Sequence, residues 1–267
     1  MRSSIRMQSW IATVTAVAAS LATCNVSHAA DVYGGIRYEV DLGDIRGFVL
    51  APPTPGPEGK RPWIWYAPVL GNNPGKQTEW MLRQLFEKGY YVVGVNVGES
   101  QGNPAGRRGY SDFYKKIVPE FKLEPKARLL AQSRGGLMLY NWAVENPEKV
   151  QCIAGIYPAC DLRSYPRIAN AAKAYGMTVE QMEATLKEHN PVDRVEPLAK
   201  AGVPILHIHG DSDKLVPLDA NSGELQKRYR ALGGTMEIIT VPGIGHTVVP
   251  EFFQEPRMVE FLLKGGF

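Results

Sequence analysis

Apolar residues in this chain cluster in short segments, and the stretches between these segments are amphipathic. Residues 63–67 are a continuous apolar run, as expected of a strand covered on both faces, and residues 91–97, 128–132, 152–156, 203–209 and 236–241 are apolar-rich segments that predict further strands. Between them, apolar residues at helical spacing predict helices near 79–88, 111–118, 137–145, 218–232 and 252–264. Ahead of this series, residues 36–40 and 45–50 bracket Asp41-Leu42-Gly43-Asp44 and predict an antiparallel hairpin. The proline-rich stretch 51–59 predicts a surface loop. Strands alternating with helices imply an α/β fold, a mostly parallel central sheet flanked by helices. Residues 158–200 interrupt the alternation with helix-prone pieces (168–174, 179–189) and two proline breaks, Asn190-Pro191 and Glu196-Pro197. No repeat or low-complexity tract occurs.

One junction stands out. The run Leu129-Leu130-Ala131-Gln132 leads into Ser133-Arg134-Gly135-Gly136 and then into a helix. A serine held in so tight a strand-to-helix turn needs neighbours that are almost without side chains, which suits Ala131, Gly135 and Gly136. A serine nucleophile also requires a general base, and the base requires a partner that fixes its tautomer. Downstream, the strand ending at His209 runs into Gly210-Asp211-Ser212-Asp213-Lys214-Leu215-Val216-Pro217. The next strand ends at Val241 and runs into Pro242-Gly243-Ile244-Gly245-His246. In a parallel sheet all three segments reach the same carboxyl edge.

With these pieces in order, the chain resembles a serine α/β-hydrolase of the esterase and prolyl-oligopeptidase-like superfamily over residues 32–267. The resemblance implies an α/β-hydrolase fold, with residues 30–267 as the hydrolase domain and 158–200 as a small helical cap insertion. It implies that Ser133 is the nucleophile and that His246, in a Gly-x-Gly-His pattern, is the base. The pattern Gly-x-x-Asp-x-x-Val-Pro selects Asp213 as the acid, leaving Asp211 to hold its turn. Of the other histidines, His189 belongs to the cap, His207 lies inside a strand, and His209 ends that strand where it can help place the acid loop. The oxyanion hole is expected to take one donor from the Arg134 amide and a second from the loop after the third strand, at Leu70 or alternatively Val69. That loop, Pro68-Val69-Leu70-Gly71, departs from the family's usual His-Gly pattern.

Composition adds a compartment and removes partners. The chain has 267 residues, of which 44% are hydrophobic, enough for one large core. Arg2 and Arg6, an apolar stretch at 10–21 and Ser27-His28-Ala29 read as a secretory signal peptide over residues 1–29. The expected location is therefore secreted or periplasmic, with lipoprotein anchoring at Cys24 as the lesser alternative and no membrane span in the mature chain. Loss of the leader lowers the formal charge from +3 to +1, so nothing favours nucleic acid as a partner. Cys152 and Cys160 are separated by too much extended chain for a disulfide, and two free thiols are expected.

Two decoys fail. Gly71–Thr78 resembles a phosphate loop but has one residue too few between its glycines and Gln77 at the magnesium position. His207, His209, Asp211 and Asp213 lack a third imidazole or thiolate at ligand spacing, so no metal and no cofactor are expected. The expected reaction is hydrolysis of a carboxylic ester on a small molecule or carbohydrate, including acyl groups on polysaccharides. Glu99 and Gln101, in the loop after the fourth strand, are candidates for binding sugar hydroxyls. Arg107, Arg108 and the Arg134 side chain are candidates for surface charge or for contact with an acidic sugar. A peptidase or amidase of the prolyl-oligopeptidase type is the alternative, and a catalytically inactive binding module a distant third.

Overall fold

The computed structural model describes residues 28–267, apart from 33, 55, 72 and 73. The leader residues 1–27, with Cys24, lie outside the described residues.

The strands are β1 (His28–Val32), β2 (Gly35–Asp41), β3 (Arg46–Ala51), β4 (Trp63–Ala67), β5 (Tyr91–Asn96), β6 (Ala127–Gln132), β7 (Val150–Ile156), β8 (Ile205–Gly210) and β9 (Met236–Val241). They form one sheet in the order β1-β2-β3-β5-β4-β6-β7-β8-β9. β1, β2 and β3 run antiparallel to their neighbours, and everything from β5 to β9 is parallel. The helices are α1 (Glu79–Glu87), α2 (Pro104–Glu120), α3 (Gly135–Ala143), α4 (Ile168–Tyr175), α5 (Val179–Ala184), α6 (Pro191–Arg194), α7 (Glu196–Lys200), α8 (Glu224–Ala231), α9 (Pro250–Phe253) and α10 (Pro256–Lys264).

Alternation along each strand sorts the side chains into two layers. Trp63, Trp65, Leu129 and Ala131 face one core, packed under α2, α3 and α8, whereas Ile64, Tyr66 and Leu130 face a second core under α1, α9 and α10. Because every one of these is fully buried, the runs read as continuous apolar stretches in the sequence. A third, smaller cluster (Leu137, Ala159, Leu162, Ala171, Ala172, Met182, Leu186, Val216) seats residues 158–200 on the start of α3 and on the loop after β8.

Several boundaries differ from the sequence expectation. The weak helix at 111–118 begins at Pro104, because the Asn103 side chain accepts a hydrogen bond from the Gly106 amide and Pro104 suits the first turn. Arg107 and Arg108 therefore sit on a helix. The helix at 218–232 opens with a π-helical turn at Asp219–Gly223 before α8. The last helix divides into α9 and α10 at Pro256. β1 was not foreseen, and it begins at His28, within the expected cleavage motif. Cys152 and Cys160 are both buried free thiols. Among the described residues, no helix is long and apolar enough to cross a membrane, and no group of His, Cys, Asp or Glu is arranged to hold a metal ion.

Candidate active site

Ser133 occupies the turn between β6 and α3 with φ of 50°, a left-handed conformation that costs energy for a residue with a side chain. Bonds on both sides over-determine it. Its amide donates to Ile156 O at 3.0 Å, and its carbonyl accepts from the Gly136 and Ala159 amides at 2.9 and 2.8 Å. The two glycines are required by space. A Cβ on Gly135 would lie 2.2 Å from Ala67 O, and one on Gly136 would lie 2.4 Å from Ala159 O. Ala131, in contrast, is fully buried within the strand, so a methyl group is accommodated on that side of the serine.

The serine hydroxyl is 2.8 Å from His246 Nε2, and His246 Nδ1 is 2.7 Å from Asp213 Oδ2. The other carboxylate oxygen of Asp213 accepts from the Leu215 and Val216 amides at 2.9 and 2.8 Å. Burial pushes the Asp213 carboxyl up, but hydrogen bonds from His209, His246 and the Val216 amide outweigh it and hold the group well below the usual carboxylate range. Asp213 is thus ionised and aimed at the imidazole. The His246 ring rests against Tyr157, with centroids 4.5 Å apart. Tyr66 donates to Gln132 Oε1 at 2.7 Å and Gln132 donates to the Tyr157 hydroxyl at 3.1 Å, tying the ends of β4, β6 and β7 together beneath the serine. Asp211 bonds across to the other loop, accepting from the Gly243 amide at 2.7 Å. It therefore laces the acid loop to the histidine loop, where only a turn-holding role was expected.

A cleft of about 180 Å³ surrounds these groups, lined by Pro68, Gln132, Ser133, Arg134, Tyr157, His246, Thr247 and Val248. The structure therefore brings Ser133, Asp213, His246 and Arg134 together. It does not bring the remaining candidates into this lining. The half-buried side chains of Leu70 and Val69 rest against opposite cores, and Pro68 is the residue of that loop whose atoms line the cleft. Glu99 is engaged by the Arg134 guanidinium and accepts from Gln101 Nε2 at 3.2 Å, while Gln101 itself is buried. Tyr157, Thr247 and Val248 were not singled out from sequence. Tyr157 directly follows β7, so the strand-end position that marked the other residues was available to mark it.

Beside the cleft runs a groove of about 440 Å³, which shares Val248 with it and is lined also by Lys76, Trp80, Arg83, Pro250, Phe253 and Gln254. Aromatic faces, with amide groups, Lys76 and the Arg83–Glu79 ion pair also in the lining, can hold a polar substrate that has an apolar surface.

Comparison with known proteins agrees with this architecture. The S-formylglutathione hydrolase of Agrobacterium tumefaciens superposes with a TM-score of 0.68 at 16% identity, covering 90% of this chain and 98% of that one. A candidate dipeptidyl aminopeptidase IV from Bacteroides ovatus gives a TM-score of 0.69 at 15% identity, covering 85% of this chain and 35% of its own length. Dipeptidyl peptidase 4 of Porphyromonas gingivalis gives 0.67 at 14%, covering 82% of this chain and 33% of that one. The chain thus spans about a third of the two peptidases and nearly all of the hydrolase. No curated protein sequence matches it. The prolyl oligopeptidase family profile matches residues 128–263, from the strand before Ser133 to the last helix. With that match over half of its length and the α/β-hydrolase fold beneath it, the chain is a serine hydrolase that belongs to the prolyl oligopeptidase family.

Proposed function

We propose that this protein hydrolyses carboxylic esters through an acyl-enzyme on Ser133. The observation that carries the reading is the unbroken line from Ser133 Oγ to His246 to Asp213, 2.8 and 2.7 Å in its two steps, opening on a cleft of about 180 Å³. His246 Nε2 takes the serine proton as Oγ bonds to the carbonyl carbon. The oxyanion is received by the Arg134 amide at the start of α3. Collapse of the tetrahedral species expels the alcohol, which leaves with the proton from His246. Water then repeats the sequence, releasing the acid and restoring the serine.

The small cleft suits a short acyl group, and the adjoining groove is where a larger alcohol, such as an acylated sugar chain, would lie. The fold shared with the S-formylglutathione hydrolase across 98% of that protein supports the ester reading. A second reading, cleavage of amides or short peptides, is supported by the family match and by the two dipeptidyl peptidases of the same fold. We further propose export, from the charge and apolar pattern of residues 1–29, with anchoring at Cys24 as the lesser alternative.

One panel tests these readings: p-nitrophenyl acetate and butyrate, an acetylated polysaccharide, and aminoacyl-anilides. Ester turnover should dominate, and Ser133→Ala should lower kcat by roughly 10⁶, as in other triads. Anilide turnover above ester turnover would establish the peptidase reading, and full ester turnover by Ser133→Ala would remove the nucleophile assignment.

A further inference from the structure

Behind Asp213 lies a line of buried polar side chains that the reaction above does not use. His209 Nε2 is 2.9 Å from the Val216 carbonyl oxygen and 3.4 Å from Asp213 Oδ2. His209 Nδ1 is 2.8 Å from Ser222 Oγ, and the same hydroxyl is 2.9 Å from His207 Nδ1. His207 Nε2 is 2.7 Å from the hydroxyl of Tyr140 on α3, the helix that starts at the nucleophile turn. Tyr140, His207, His209 and Ser222 are each 0% exposed.

The surroundings are shaped for this line. Gly155 faces His207 across the β7–β8 pair, and a Cβ there would lie 2.5 Å from the imidazole Cδ2. Ser222 is presented by the π-helical turn, a feature frequent at functional sites. Its neighbour Asn221 anchors that turn by accepting from the Cys160 and Asp161 amides at 2.8 and 3.0 Å.

With both rings neutral, one proton assignment satisfies every bond. A carbonyl only accepts, so His209 carries its proton on Nε2. Its bare Nδ1 then accepts from Ser222, whose oxygen accepts from His207 Nδ1–H. His207 Nε2 is left to accept from Tyr140. Each donor points the same way, ending at Val216 O and Asp213, and aligned chains of this kind reinforce one another.

We propose that Tyr140, His207, Ser222 and His209 form a positioning array that orients Asp213 toward His246 from behind, coupling the nucleophile helix to the acid loop. This rests on the proposed role of Asp213. The titratable groups facing the line are His246 and Tyr157 at Asp213, and Cys160 and Tyr229 beside Tyr140, with the Arg134–Glu99 pair at the cleft rim. Because Oδ1 stays held by two backbone amides, breaking the line leaves the carboxylate in place but strips Oδ2 of its second donor, or turns a ring lone pair toward it. Either outcome leaves more negative potential at Oδ2, which favours protonation of the base.

The test is Ser222→Ala, with Ser222→Thr to restore the hydroxyl and Tyr140→Phe as a milder break, assayed on p-nitrophenyl acetate. In Ser222→Ala the acidic limb of kcat/KM should move to higher pH by roughly half to one unit. Its kcat at neutral pH should fall about 3- to 10-fold at constant KM. Ser222→Thr should restore both, and Tyr140→Phe should shift the limb the same way by less. If Ser222→Ala folds poorly, Tyr140→Phe carries the same test. The low-field proton NMR signal of the His246–Asp213 bond should shift in both variants. This signal reads the array even if the substrate assignment fails. A variant with a lowered melting temperature but the wild-type acidic limb and the wild-type signal would reduce the array to a structural network and overturn the proposal.

Discussion

Gly135 and Ala67 meet so closely that the α-carbon of one leaves no room before the carbonyl oxygen of the other. A methyl group on Gly135 would sit 2.2 Å from Ala67 O and 2.7 Å from the Pro68 nitrogen. The nucleophile turn is therefore seated directly on the end of β4, and the loop carrying Pro68 takes its position from that contact. Both partners are backbone, so neither can swing aside. Gly135→Ala should cost about 1–3 kcal/mol of stability, as overpacking usually does. It should also lower kcat at least tenfold by displacing the Ser133 turn. Thermal unfolding and p-nitrophenyl acetate kinetics on the same sample would check both.

Asp213→Asn should lower kcat by roughly 10⁴, the effect of presenting an amide N–H to the base and so stabilising the wrong imidazole tautomer. The folded state should survive, since the Leu215 and Val216 amides still have an oxygen to bind. Activity comparable to wild type would move the acid role elsewhere, with Asp211 as the next candidate to test.

Acid should destabilise the fold in two stages. Burial, and to a lesser degree the neighbouring His209, lowers His207 well below its ordinary 6.5. The unfolded chain therefore binds that proton first, and stability falls as pH drops below about 6.5, by up to about 1.4 kcal/mol per pH unit. His189, lowered by burial and by Arg107 and Arg194, acts in the same direction. Asp213 is depressed below 3.8, so the stability it contributes is present above that value and is lost in the second stage as pH falls further. Melting temperatures measured from pH 8 down to about pH 2 should show both stages, and His207→Asn should flatten the first.

Neither described thiol should react with Ellman's reagent in the folded protein. Burial pushes the Cys152 thiol up to about 12 and the Cys160 thiol well above its ordinary value, so thiolate is scarce as well as inaccessible. Both should titrate in guanidinium chloride without reductant. A failure to do so would indicate a disulfide.

Trp80→Ala should raise KM for a bulky ester, such as an acetylated oligosaccharide, about 3- to 10-fold, the scale of one lost aromatic contact. The kinetics of p-nitrophenyl acetate, which fits the cleft alone, should be unchanged. Equal effects on both substrates would place Trp80 in the fold and not in the groove's binding role.

Sequence alone determined the layout of this protein because that layout is periodic. An unbroken apolar run such as 63–67 reads as a strand covered on both faces, and helices alternating with such strands imply a parallel sheet whose strand ends share one edge. Ser133, Asp213 and His246 were legible because each follows a strand on that edge, with glycine or proline marking the turn. Element ends were less legible, since Asn103 and Pro256 act through local capping and steric effects that a hydrophobic pattern does not register.

Tertiary structure decided the rest, through contacts between residues far apart in the chain. The 2.8 and 2.7 Å bonds joining Ser133, His246 and Asp213 depend on two loops being laced at Asp211 and Gly243 and on the Ser133 turn being held by Ile156, Gly136 and Ala159. The packing of the Leu70 side chain against one core, the engagement of Glu99 by Arg134 and the burial of Gln101 follow from tertiary contacts. The line from Tyr140 to Asp213 joins a helix, a strand and a π-helical turn with no common period. Only the folded chain brings those side chains within hydrogen-bonding distance.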